Sequence, residues 1–147
     1  MKKILILNGP NLNLLGQRQP DIYGSQTLND ILSPLIDNCL KHDIEATTVQ
    51  SNHEGVLIDT LHQWGTDPDC VGIIFNAGAY THTSLAMADA IRSIKTPVIE
   101  VHLSNTAARE EIRHCSMIAP VCRGTIAGFG AMSYKLALMA IIDTLGH

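Results

Sequence analysis

VGIIFNAGAYTHTSLAMADAIRSIKTPVIEVHL, residues 71–103, contains two apolar runs rich in Ile and Val, separated by a polar loop and an amphipathic stretch. The pattern predicts a strand VGIIFN (71–76), a helix following Thr81 through Ile94, and a second strand PVIEVHL (97–103). A crossover of that length suits two parallel strands, because antiparallel neighbours need only a tight turn. Working outward, KILILN (3–8), IEATTVQ (44–50) and GTIAGF (124–129) read as further strands. Between them, Leu28, Ile31, Leu32, Leu35, Ile36, Cys39 and Leu40 fall on one helical face, with Thr27 as N-cap and Asp30 three residues on. Pro34 inside that pattern predicts a kink or break. A second helix runs from about Glu54 to Trp64 and ends at Gly65, the last runs from Met132 to Leu145, and a short fifth is expected over Ala107 to Arg113. The sum is an α/β chain: a doubly wound, five-stranded parallel sheet in a single domain spanning 1–147.

The bulk numbers agree with that class and exclude others. With 147 residues, 46% apolar, 16% charged and a formal charge of −4, the chain is large enough to bury a core and too acidic for a nucleic-acid binder. The apolar run of MKKILILNGP is too short for a signal-peptide core or a membrane span, so no membrane partner is expected. Cys39, Cys70, Cys115 and Cys122 show no C-x-x-C pairing, which points to reduced thiols in a cytoplasm rather than to zinc or disulfides.

Ligands of open parallel sheets bind beyond the carboxyl ends of the strands, where the strand order reverses. The polar residues crowd into three such places: the loop after Asn8, the loop AGAYTHTS after Asn76, and Leu103-Ser104-Asn105 after His102. Glu100 and His102, two apart, share one face of their strand, while Ile99, Val101 and Leu103 take the other. A carboxylate beside an imidazole fixes the ring's tautomer and readies it to hand over a proton. His82 is read in the first turn of the third helix, where a protonated ring opposes the macrodipole, and this suggests an external hydrogen-bonding partner. Arg18 and Tyr23 lie in the Gly-flanked segment Gly16 to Gly24, of the kind that closes over a ligand. An ordinary tyrosine is so little ionised at neutral pH that using it as a base costs about 4 kcal/mol, and an arginine within about 4–6 Å lowers that cost. The same residues also suit a structural ion pair, ordinary helix caps and a tyrosine packed on the sheet edge. The run Arg109-Glu110-Glu111 reads as a solvated helix face. A zinc site drawn from Glu100, His82, His102 and His114 lacks any close ligand spacing, and NGPN is not a Gly-rich nucleotide fingerprint.

Four segments then point to one family: NGPNLNLLGQRQPDIYG (8–24), FNAGAYTHTSLAMADA (75–90), IEVHLSN (99–105) with AREEIRHCS (108–116), and GTIAGFG (124–130). In this order they resemble type II 3-dehydroquinate dehydratase. The resemblance implies a flavodoxin-like fold and a cytoplasmic lyase of the shikimate and quinate pathways, serving aromatic amino acid biosynthesis in the first. Its reaction is an anti elimination of water from 3-dehydroquinate through an enolate to 3-dehydroshikimate, with no cofactor, metal, nucleotide or Schiff base. Carried over by position, Tyr23 resembles the base, Arg18 the cation that keeps it ionised, Asn11 the residue that holds a water against the enolate, and His102, oriented by Glu100, the acid. Asn76, His82, Arg113 and the backbone amides of Leu103 and Ser104 resemble substrate binders. Asp89 resembles a residue reaching into a neighbouring subunit's site, which implies a homo-oligomer, a dodecamer built from trimers. Gln19, Ala88 and Cys115 depart from the family's usual residues; the first predicts altered lid dynamics and the second a weaker subunit contact.

Overall fold

A computed structural model describes residues 1–17, 21 and 24–145. Five strands, β1 (Lys2–Asn8), β2 (Ile44–Gln50), β3 (Cys70–Asn76), β4 (Val98–His102) and β5 (Gly124–Ala127), pair in parallel in the order β2-β1-β3-β4-β5. This is the flavodoxin-like doubly wound order, and it reverses between β1 and β3. Among the described residues, four α-helices cover its faces: α1 (Leu28–Lys41), α2 (Glu54–Gly65), α3 (Leu85–Arg92) and α4 (Met132–Leu145).

Alternation along the strands sorts the core into two halves. Ile4, Ile6, Ile74, Ile99 and Val101 pack with α1 and α4, whereas Leu5, Leu7, Ile73 and Phe75 pack with α2 and α3. Burial on both sides explains why the central strands are almost continuously apolar. Glu100 and His102 break that run on the α2–α3 side, as the alternation in the sequence requires.

Helix α1 starts as expected. The Thr27 side chain accepts from the Asp30 amide at 3.1 Å and the Asp30 carboxylate accepts from the Thr27 amide at 3.1 Å, a complete capping box. Thr27→Ala should lower unfolding stability by about 1 kcal/mol in urea titrations. Pro34 does not break the helix, which runs through it to Lys41. Ile31, Leu32, Leu35 and Cys39 are buried on both sides of the proline, so packing holds the helix across the one missing amide donor.

Two other helix expectations are corrected. The third helix begins only at Leu85, where the Ser84 hydroxyl caps the Met87 amide at 3.0 Å, and residues Gly78–His82 form a 3-10 turn. His82 therefore closes that turn and is not in an α-helical first turn. The segment Ala107 to Arg113 is not a helix but two 3-10 turns, Thr106–Ala108 and Glu111–Arg113, with extended backbone at Arg109 between them. None of the residues in those turns is buried, so no apolar stripe is present to dock a helix on the sheet.

The four thiols are unpaired. Burial pushes the Cys39 thiol up to about 11 and Cys122 to about 12, the nearby Glu100 adding to the latter, and Cys70 is raised for the same main reason. Cys115 is exposed. A disulfide reagent at neutral pH should therefore titrate one thiol fast, and Cys115→Ser should remove that phase.

Candidate active site

Beyond the carboxyl ends of β1, β3 and β4 lies a cleft at the switch point of the sheet. Its first wall is the loop after β1. Asn11 sits there with φ 67°, a left-handed conformation that Asn tolerates better than most residues, and its amide donates to the Asn52 side chain at 3.0 Å. Leu12 and Leu15 are buried and pin the loop to the core. Gly16, at φ 87°, lies close to Ser25: a Cβ there would be 2.8 Å from the Ser25 carbonyl oxygen. Arg18 and Tyr23 lie outside the described residues.

The second wall is the loop after β3. Gly9 and Gly78 let these two loops touch: a Cβ on Gly9 would lie 2.5 Å from the Ala77 oxygen, and Gly78, at φ 59°, abuts Pro10. Asn76 lines the cleft and accepts from the Gly78 amide through its side-chain oxygen at 3.2 Å. The nitrogen of the same carboxamide donates to the Tyr134 hydroxyl at 3.1 Å, and that hydroxyl donates to Asn8 Oδ1 at 2.5 Å. Tyr134 is fully buried, which raises the pKa of its phenol; the Asn76 hydrogen bond only partly offsets this.

The third wall carries the acid-base pair. His102 Nε2 donates to Glu100 Oε2 at 2.5 Å, so the lone pair of the neutral ring sits on Nδ1. His102 lines the cleft, and Glu100 lies beneath it, 1% exposed. The other carboxylate oxygen of Glu100 accepts from Ser116 Oγ at 2.9 Å and from Thr125 Oγ1 at 3.5 Å. Ser116 Oγ itself accepts from the amides of Ile118 and Ala119, which leaves its own proton for the carboxylate. A buried carboxylate thus has hydrogen-bond donors on both oxygens, the condition under which a charge is tolerated there.

His82 Nδ1 donates to the Cys115 carbonyl at 2.7 Å, and the His82 ring stacks on His102 with centroids 6.3 Å apart. The sequence suggested an external partner for this histidine. The structure gives Nδ1 an internal one and leaves Nε2 as the edge a ligand can meet. Leu103 and Ser104 line the cleft just past β4, and Arg113 lines it while its Nε donates to Glu110 at 2.8 Å. That contact lowers the Glu110 pKa.

The cleft thus gathers Asn11, Asn76, His82, His102, Leu103, Ser104 and Arg113 from the residues singled out in the sequence. Asp89 is not among them: it lies exposed on α3 and pairs with Arg92 at 3.2 Å. Arg109 corrects the reading of Arg109-Glu110-Glu111 as a solvated face, because its side chain lines the cleft and is only 12% exposed. The extended backbone at Arg109 turns it inward, and a helical reading of the segment hides this. Tyr134 and Ser116 were also missed, since one looks like core filler and the other like a loop serine. Ala88 is buried in the α2–α3 half of the core. Among the described residues no three His, Cys, Asp or Glu side chains are grouped to hold a metal, and no helix is long and apolar enough to cross a membrane.

Known proteins resemble this chain in sequence and fold over nearly their whole length. The chain is 57% identical over 143 residues to a 3-dehydroquinate dehydratase of Gloeothece citriformis, covering 97% of this chain and 92% of that one. The type II dehydroquinase of Butyrivibrio crossotus superposes with a TM-score of 0.92 at 42% identity, covering 95% of this chain and 97% of the other. That of Propionibacterium acnes gives 0.92 at 40%, covering 97% of each. Residues 2–142 match the family described as "Dehydroquinase class II", and with the fold in agreement, the chain belongs to that family.

Proposed function

We propose that this chain dehydrates 3-dehydroquinate to 3-dehydroshikimate by an anti elimination through an enolate, acting as a single domain over residues 1–147. The observation that carries the reading is the Glu100–His102 pair, set at the wall of a cleft that also presents Arg109 and Arg113 to an anionic ligand. Tyr23, held as its anion by Arg18, takes the proton from the carbon beside the ketone, and the C–H electrons move to the carbonyl oxygen. Asn11 holds a water against that oxygen, where negative charge develops. The enolate then re-forms the ketone and expels the hydroxyl, which leaves as water with the proton supplied from Nδ1–H of His102, a ring that enters the step doubly protonated beside the Glu100 carboxylate and leaves it neutral. Transfer of the abstracted proton from Tyr23 to His102 resets both groups. Asn76, His82 and Arg113 hold the substrate, with the amides of Leu103 and Ser104 on its carboxylate.

Ultraviolet absorbance of the conjugated enone tests the reaction: purified protein mixed with 3-dehydroquinate is expected to generate it, and its absence removes the reading. Borohydride added during turnover should leave no lysine adduct and no inactivation, because none of the five lysines lines the cleft. A substrate-dependent mass increase on a lysine would instead favour a Schiff-base route.

The family relationship further supports a cytoplasmic enzyme assembled as a dodecamer built from four trimers, in which Asp89 of one chain completes a neighbour's cleft. Its exposed position on α3 leaves it available for that contact. Light scattering is expected to return twelve chain masses, and a monomer in dilute solution with full activity would discard the assembly.

A further inference from the structure

Four polar groups form a one-way chain under the cleft. The Gly78 amide donates to Asn76 Oδ1, Asn76 Nδ2 donates to the Tyr134 hydroxyl, and that hydroxyl donates to Asn8 Oδ1. Each link fixes the next. An amide N–H at Gly78 can only meet the oxygen of the Asn76 carboxamide, so the nitrogen must face Tyr134. With its lone pair taken by that nitrogen, the hydroxyl proton must go to Asn8. Asn8 and Asn76 are register partners on β1 and β3, the two strands between which the sheet order reverses. Tyr134 comes from α4, 126 residues from Asn8 and 58 from Asn76. Asn8 and Tyr134 are 0% and 1% exposed, so water does not substitute for the two bonds that Tyr134 makes.

We propose that Tyr134 is a positioning residue for substrate recognition. The Gly78 amide fixes which end of the Asn76 carboxamide is the oxygen, and Tyr134 anchors the nitrogen end, so that the floor of the cleft presents the second N–H of Nδ2 rather than a carbonyl oxygen. The cleft thereby selects a ligand group that accepts a hydrogen bond there, a hydroxyl or carboxylate oxygen, and rejects a group that only donates. This rests on the dehydratase reading for its kinetic test, but the orientation itself does not.

Tyr134→Phe removes one oxygen from a packed ring. It is expected to raise KM for 3-dehydroquinate about three- to tenfold, the factor that follows from loosening one hydrogen bond, while kcat stays within about twofold because the contact is made equally before and during reaction. In an Asn76→Ala background the same change should leave KM unmoved, whereas a merely structural role would repeat its effect there. Side-chain amide NMR of the unliganded protein, assigned with Asn76→Ala, gives a second readout. One Nδ2 proton of Asn76 should exchange slowly in the wild type and fast in Tyr134→Phe. An unchanged KM in Tyr134→Phe, or a fast-exchanging Asn76 amide in the wild type, overturns the proposal, and the wild-type spectrum decides even if the variant does not fold. Wild-type protein without turnover but with the protected amide would sink the dehydratase reading and leave the orientation standing.

Discussion

Tyr23→Phe is expected to lower kcat about 10²- to 10⁴-fold, the range set by removing a positioned general base, while the dissociation constant of a substrate analogue changes little. A phenol at its ordinary pKa is ionised in about one molecule in a thousand at neutral pH, a penalty near 4 kcal/mol, and a close guanidinium can recover about one to three pKa units of it. Phenylalanine keeps the ring and loses only the oxygen proposed to accept the proton. Isotope exchange gives the sharper measurement. In deuterated water the hydrogen beside the ketone should cease to exchange in Tyr23→Phe, since no other group is assigned to remove it. A variant with near-normal exchange and turnover takes Tyr23 out of the mechanism.

For His102→Ala the expected result is the opposite split. Hydroxide is a poor leaving group unless protonated as it departs, so elimination should fall by about 10²- to 10⁴-fold, or roughly 3 to 5 kcal/mol of barrier. In the proposed route enolate formation at Tyr23 does not use this histidine, and exchange beside the ketone should persist. The variant also leaves the buried Glu100 carboxylate with only Ser116 and Thr125 as side-chain partners, which costs stability because a buried charge loses a donor. Exchange that survives while product formation stops separates lost chemistry from lost fold. Full turnover across neutral pH would assign the proton to another group.

Much of the fold was legible because strands and helices leave local periodicities. All five strands lie where the apolar runs placed them, and Thr27 with Asp30 marked a helix start that the structure reproduces. The errors fell where a local signal met a tertiary one. Pro34 is a breaker by local rule, yet Leu35 and Cys39 are buried beyond it and carry the helix on. Ala107 to Arg113 has residues acceptable in a helix but nothing to bury, and the chain kinks at Arg109 to send its side chain into the cleft. His82 lines the cleft but was wrongly situated in a helix, because a 3-10 turn followed by a Ser84 cap looks, in sequence, like one continuous helix.

What the sequence determined by itself was the set of strands, their two-sided burial, the sharing of one strand face by Glu100 and His102, and a family resemblance carried by ordered motifs. Periods of two and of about 3.6 residues are properties of neighbouring positions, so a linear text holds them. Only the tertiary structure decided that Ser116 and Thr125 complete the shell of Glu100, that Arg109 turns inward, and that Tyr134 bridges Asn8 and Asn76. Such contacts join residues far apart along the chain, and their partners are set by register and packing, which no local pattern encodes.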